Sequence, residues 1–124
     1  HQALSNALSQ AGEKLLPRIE QALQTPALNS ADAAKSFGSS CHVQEGLPLI
    51  VHIVRHASDY RSAVQENIRI GGDSCGRSIL LGAIMAAYTA QQQDNNAAIP
   101  LEWLARYRKL SLAADACAKL VVSG

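Results

Sequence analysis

The segment "RIGGDSCGRSILLGAIMAAYTA", residues 69–90, sets two glycines and an aspartate directly before a long apolar run. From about Ser74 to Gln91 that run reads as one helix. Ile79, Leu80, Leu81, Ile84 and Met85 cover several of its faces, and a helix that is apolar nearly all round lies inside its fold. We therefore expect it to be the buried centre of an all-α domain. Gly82, Ala86 and Ala90 form a stripe of small residues at four-residue spacing, which lets neighbouring helices approach closely. Asp73 reads as the N-cap: its carboxylate accepts backbone N–H bonds and interacts favourably with the helix dipole. Arg77, four residues on, is spaced to pair with it.

Upstream, Leu4, Leu8, Leu15, Ile19 and Leu23 recur three or four residues apart, as on one face of an amphipathic helix over residues 2–24. Pro17 is expected to kink that helix or to start a second piece. "TPALNS" (25–30) reads as a loop, with Ser30 capping a short helix through Phe37 and Gly38 stopping it. A third helix is expected from about Glu45 to His56, with Pro48 in its first turn and Leu49, Ile50, Ile53 and Val54 facing the core. Ser58 or Asp59 caps a fourth, which ends near Arg69 at Gly71 and Gly72. Downstream, "QQQDNN" (91–96) is a polar loop, and Pro100 reads as the first residue of a short helix carrying Trp103 and Leu104. A last helix starts near Ser111 and uses Leu112, Ala116 and Leu120. No alternating strand pattern interrupts this series.

With 124 residues the chain makes one domain at most. A formal charge of +1 gives no electrostatic footprint for nucleic acid or an anionic membrane. The longest apolar run is too short to span a bilayer. Cys41, Cys75 and Cys117 are odd in number and widely spaced, which argues against a disulfide framework or a CxxC metal site and suits a cytoplasmic setting. Cys41 beside His42 reads as structural, with Cys41 buried. His52 and His56 are four apart on a helix, but the residue after His52 is Ile53, where a metalloprotease needs glutamate; both read as surface or partly buried histidines. The chain begins with His1, so residues 1–124 are expected to be a piece of something longer.

Several motifs stand in a particular order: Gly71-Gly72-Asp73 after "AVQENI", Gly82-Ala83 in the following helix, and Ile99-Pro100-x-x-Trp103 after the polar loop. From Phe37 to Leu104 this order and spacing resembles the C-terminal part of the ADP-ribosylglycohydrolase family, and most of all its J-type crystallin branch. The resemblance implies an all-α, orthogonal helical bundle and a pair of magnesium ions between helices. The implied chemistry is hydrolysis of the N- or O-glycosidic bond that joins ADP-ribose to a protein side chain or small leaving group. It also implies Asp73 as a metal ligand and Gly71, Gly72 and Ser74 as substrate-binding residues, with the catalytic residues upstream of this chain. The usual family turn reads Gly-Gly-Asp-Thr-Asp-Thr. Here Cys75 stands at the second aspartate and Gly76 at the last threonine, so two hard oxygen ligands are replaced. Magnesium prefers oxygen and binds thiols poorly. Magnesium is thus expected, if at all, only in the full-length protein and not in this fragment.

Two functional classes follow. One is an ADP-ribosylglycohydrolase-like enzyme acting on an ADP-ribosylated protein or small molecule, with the fragment alone inactive. The other is a non-catalytic, crystallin-like structural or ligand-binding relative. If N-terminal helices normally pack on this chain, it should expose an apolar face through which it self-associates.

Overall fold

The computed structural model describes residues 2–92 and 96–122, with side chains described from Gly12 through Leu120 apart from residues 93–95. Among the described residues there are seven helices and no strand: α1 (Gln2–Gln24), α2 (Ser30–Phe37), α3 (Val43–His56), α4 (Tyr60–Ile70), α5 (Ser74–Gln91), α6 (Leu101–Ala105) and α7 (Leu110–Val122). The all-α expectation holds.

The core lies where α1, α2, α4 and α5 meet around α3. It contains Ala22, Ala33, Phe37, Leu49, Ile50, Ile53, Ala63, Ile70, Leu81 and Met85. Local signals set most element ends. Asp59 caps α4 in a capping box: its carboxylate accepts from Ser62 N at 2.7 Å, while Ser62 Oγ accepts from Asp59 N at 3.3 Å. Gly38 ends α2 with φ of 80°.

Several expectations need correction. Pro17 sits inside an α1 that continues to Gln24; it removes one backbone donor but starts no second helix. Ala22, and not the exposed Leu23, is the α1 residue in the core, and Leu4 and Leu8 lie outside the described side chains. The cap of α2 is Asn29, whose side chain accepts from Asp32 N at 3.0 Å, because the helix already includes Ser30. α3 starts two residues earlier than expected, so Pro48 lies beyond its first turn, fully buried. Pro100 occupies the cap position of α6, its carbonyl accepting from Trp103 N. The polar loop reduces to Gln92 and Asn96 around residues outside the described set.

The largest correction concerns α5. Its bounds match the expectation, but it is not buried all round. It buries a single stripe at four-residue spacing: Arg77, Leu81, Met85 and Thr89. Ile79 is 80% exposed, and Leu80, Ile84 and Tyr88 are exposed beside it. Of the small stripe, Gly82 and Ala86 are half-buried and Ala90 is exposed. α7 also differs from expectation: residues 110–120 are exposed apart from half-buried Ala113, so Leu112 and Leu120 do not enter the core. α6 is tied to α4 by Trp103, which meets the Tyr60 ring edge-on at 6.3 Å and lies under the Arg61 guanidinium, while Arg61 pairs with Glu102.

Candidate functional site: the Gly-Gly-Asp turn

The chain leaves α4 through two residues of positive φ, Gly71 (74°) and Gly72 (60°). Gly72 is required twice over. Its φ lies in the left-handed region, and a Cβ there would overlap the carbonyl oxygen of Ser39. That close approach lets Asp73 N donate to Ser39 O at 2.9 Å, which fastens the turn to the segment between α2 and α3. Ser74 N then donates to Gly72 O at 2.9 Å, and Asp73 has φ −80° and ψ 61°, so an inverse γ-turn centred on Asp73 feeds α5. Asp73 Oδ1 accepts from Gly76 N at 3.0 Å. The capping role read from sequence is what the structure shows.

Arg77 does something else than expected. It is 3% exposed, and its hydrogen bonds run to Asn67 and to backbone carbonyls. Its Nε donates to Asn67 Oδ1 at 2.8 Å, one terminal nitrogen to Ser39 O at 3.2 Å, and the other to the carbonyls of Gly71 and Asn67. Burial pulls the guanidinium pKa down, and the nearby Asp73 charge opposes that shift. Asn67, fully buried, completes the node by donating to Ser74 O and Ser78 Oγ, both at 2.9 Å. One side chain thus joins the end of α4, the glycine turn, the 39–40 segment and α5. Sequence reading missed this node. The four-residue spacing of Arg77 with Leu81, Met85 and Thr89 was the available sign that the arginine faces inward.

Beside the turn lies an open groove of about 270 Å³. It is lined by Ser40, Cys41, His42, Val43, Gly46, Leu47 and Ile50 from the start of α3 and the segment before it, and by Asp73, Gly76, Arg77 and Leu80 from the turn and α5. Its rim is ordered by short-range bonds: Ser40 N donates to Glu45 Oε2 at 2.9 Å, and Ser40 Oγ lies 2.8 Å from His42 Nδ1. The Ser40 N–H bond, with a further one from its side chain, holds the Glu45 pKa below the ordinary carboxylate value. Of the residues singled out by the family pattern, Asp73 and Gly76 line this groove; Gly71, Gly72, Ser74 and Cys75 do not. Cys41 is exposed rather than buried, as are Cys75 and Cys117, and all three thiols are free.

The donor set of the turn does not fit magnesium. That ion takes near-octahedral oxygen coordination. Here one Asp73 oxygen already accepts a backbone N–H, Cys75 offers a soft thiol, and Gly76 offers no side chain. Among the described residues no group of three or more His, Cys, Asp or Glu side chains is placed to hold a metal ion. His52 and His56, with rings 4.7 Å apart, are instead turned to backbone: Leu28 N donates to His52 Nε2 at 3.4 Å, and His56 Nε2 lies 3.1 Å from Thr25 O.

Comparison with known families adds one finding. A family model described as ADP-ribosylglycohydrolase matches residues 1–123, well beyond the 37–104 segment whose motifs carry the resemblance. No curated protein and no solved structure matches the chain.

Proposed function

Because the chain belongs to the ADP-ribosylglycohydrolase family, we propose that it engages ADP-ribosylated substrates through the groove beside α5 without a two-magnesium centre at residues 71–76. This is the non-catalytic, ligand-binding member of the two classes. The observation that carries it is the Asp73 carboxylate, which is bonded to Gly76 N at 3.0 Å, next to a thiol and a glycine where the family pattern has oxygen ligands. Gly71, Gly72 and Ser74 serve this reading through their backbone, by shaping the turn, and not by touching ligand. In this reading the protein is a crystallin-like, non-catalytic relative of the family's enzymes.

Family membership itself favours a second reading, in which the whole protein hydrolyses the N- or O-glycosidic bond of an ADP-ribosylated protein or small molecule. Asp73 is then one magnesium ligand, and the remaining ligands and the catalytic groups come from outside residues 71–76. Titration calorimetry with ADP-ribose, with and without magnesium, separates the two. The binding reading predicts an affinity that magnesium does not change and no release of ADP-ribose from arginine- or serine-linked conjugates. Magnesium-dependent release that is lost in Asp73→Ala would establish the hydrolase.

Three further expectations belong to this reading. A cytoplasmic setting is part of this reading, and the three free thiols suit it. The small net charge offers nothing to nucleic acid, and no described helix is long and apolar enough to cross a membrane. The exposed Ile79, Leu80, Ile84 and Tyr88 face of α5 supports self-association, which light scattering tests directly: a monomer at all concentrations rejects it.

A further inference from the structure

Gly76 is the third residue of α5, a position where glycine is a poor helix former and no turn or positive φ calls for it. The reason for it lies in the space its missing side chain leaves. A Cβ on Gly76 would overlap Asp73 Oδ2 and stand 2.9 Å from Asp73 Cγ and 3.1 Å from Oδ1. The Asp73 carboxylate has therefore folded back into the volume that any other residue at 76 would fill, and from there its Oδ1 accepts the Gly76 N–H.

We propose that residue 76 is the positioning residue for Asp73. Asp59 caps α4 from an extended backbone (φ −155°, ψ 170°) that leaves room for the Ser62 side chain, but Asp73 caps from φ −80° and ψ 61°. In that geometry glycine at 76 lets the carboxylate close over the first turn of α5, and a side chain there turns it out into the groove. The obstruction is one-sided. The atoms in the way belong to the end of a flexible side chain, so the backbone of α5 need not move and the carboxylate is what yields. Asp73 and Gly76 both line the groove, as do Ser40 and His42, so a displaced carboxylate would present a negative charge to whatever binds there. One hydrogen atom at position 76 thus sets whether the turn is a structural joint or offers an acidic group to a ligand. The inference rests on reading Asp73 as a cap, which the proposed function shares.

A double-mutant cycle tests it. Asp73→Ala in the otherwise unchanged chain removes the cap and should lower the folding equilibrium constant about fivefold. In a Gly76→Ala background the cap is already displaced, so the same change should lower it less than twofold. Native-state amide exchange gives a second reading that needs no unfolding: the residue-76 amide should exchange faster in Gly76→Ala than in the unchanged chain, and adding Asp73→Ala should accelerate it no further. Equal losses from Asp73→Ala in both backgrounds, or a residue-76 amide equally protected with alanine there, would overturn the proposal. Neither measurement uses nucleotide or cation, so a failure of ADP-ribose binding leaves its outcome intact.

Discussion

Replacing Arg77 with methionine removes the one side chain that joins four segments around the turn. Methionine keeps most of the aliphatic stem but no donor. Ser39 O retains a partner, because Asp73 N also donates to it. Asn67 Oδ1 and Gly71 O lose the guanidinium bonds described above. Each buried acceptor left without a partner costs roughly 1–3 kcal/mol. The open groove beside Arg77 admits water to part of the site, which puts the sum at the lower end, about 2–4 kcal/mol. For a domain of this size that is a fall in Tm of roughly 6–20 °C. Arg77→Lys should recover little of it, since a single ammonium cannot satisfy acceptors spread around a planar fork. Urea denaturation with unchanged m-value is the assay. A loss below about 1 kcal/mol for Arg77→Met, or full rescue by lysine, would refute the claim that this node holds the turn.

The cap itself predicts that Asp73→Asn is nearly neutral, while Asp73→Ala costs about 1 kcal/mol by the same denaturation assay. On α5, Leu81→Asp and Met85→Asp should unfold the domain by circular dichroism, because they place an unpaired charge in the core. Ile79→Asp should be tolerated, since that side chain is 80% exposed. Acid should weaken the fold through His52. Burial, then the His56 charge, hold its pKa below the ordinary 6.5, against the opposing pull of Glu66. The unfolded chain therefore takes the proton first as pH falls. The contribution is fully present above about pH 6.5 and is lost as pH drops through the depressed folded value. Denaturation midpoints at pH 7.5 and 5 measure it, and His52→Gln should flatten the difference; an unchanged slope in that variant rejects the assignment.

Local chemistry was legible in the sequence where a residue acts on its own neighbours. Gly38 as the end of α2 and Asp73 as the cap of α5 follow from type and position, as do the bounds of α5, while the cap of α4 was narrowed to Ser58 or Asp59, of which the structure uses Asp59. Burial was less legible. An apolar residue says that burial is favourable, not that a partner surface is available, and Ile79, Leu112 and Leu120 remain exposed. The one-residue shift at Asn29 reflects two adjacent polar residues, Asn29 and Ser30, competing for one cap, and α6 begins one residue later than read, at Leu101. The Arg77–Asn67 node stayed hidden because it joins residues ten apart on two helices, together with Ser39, which is 38 positions from Arg77. Only the packing of α4 on α5 brings them together. The overlap of Asp73 with the empty Cβ site of Gly76 is likewise a matter of geometry that residue types do not disclose.

Magnesium titration by calorimetry, on the unchanged chain and on Asp73→Ala, each with ADP-ribose present, bears most directly on the reading of the turn. If Asp73 is a helix cap and residues 71–76 a metal-free joint, the two proteins should give the same heats, with no binding event that depends on Asp73. Magnesium binding at micromolar concentration in the unchanged chain that vanishes in Asp73→Ala would mean that the carboxylate is a ligand after all.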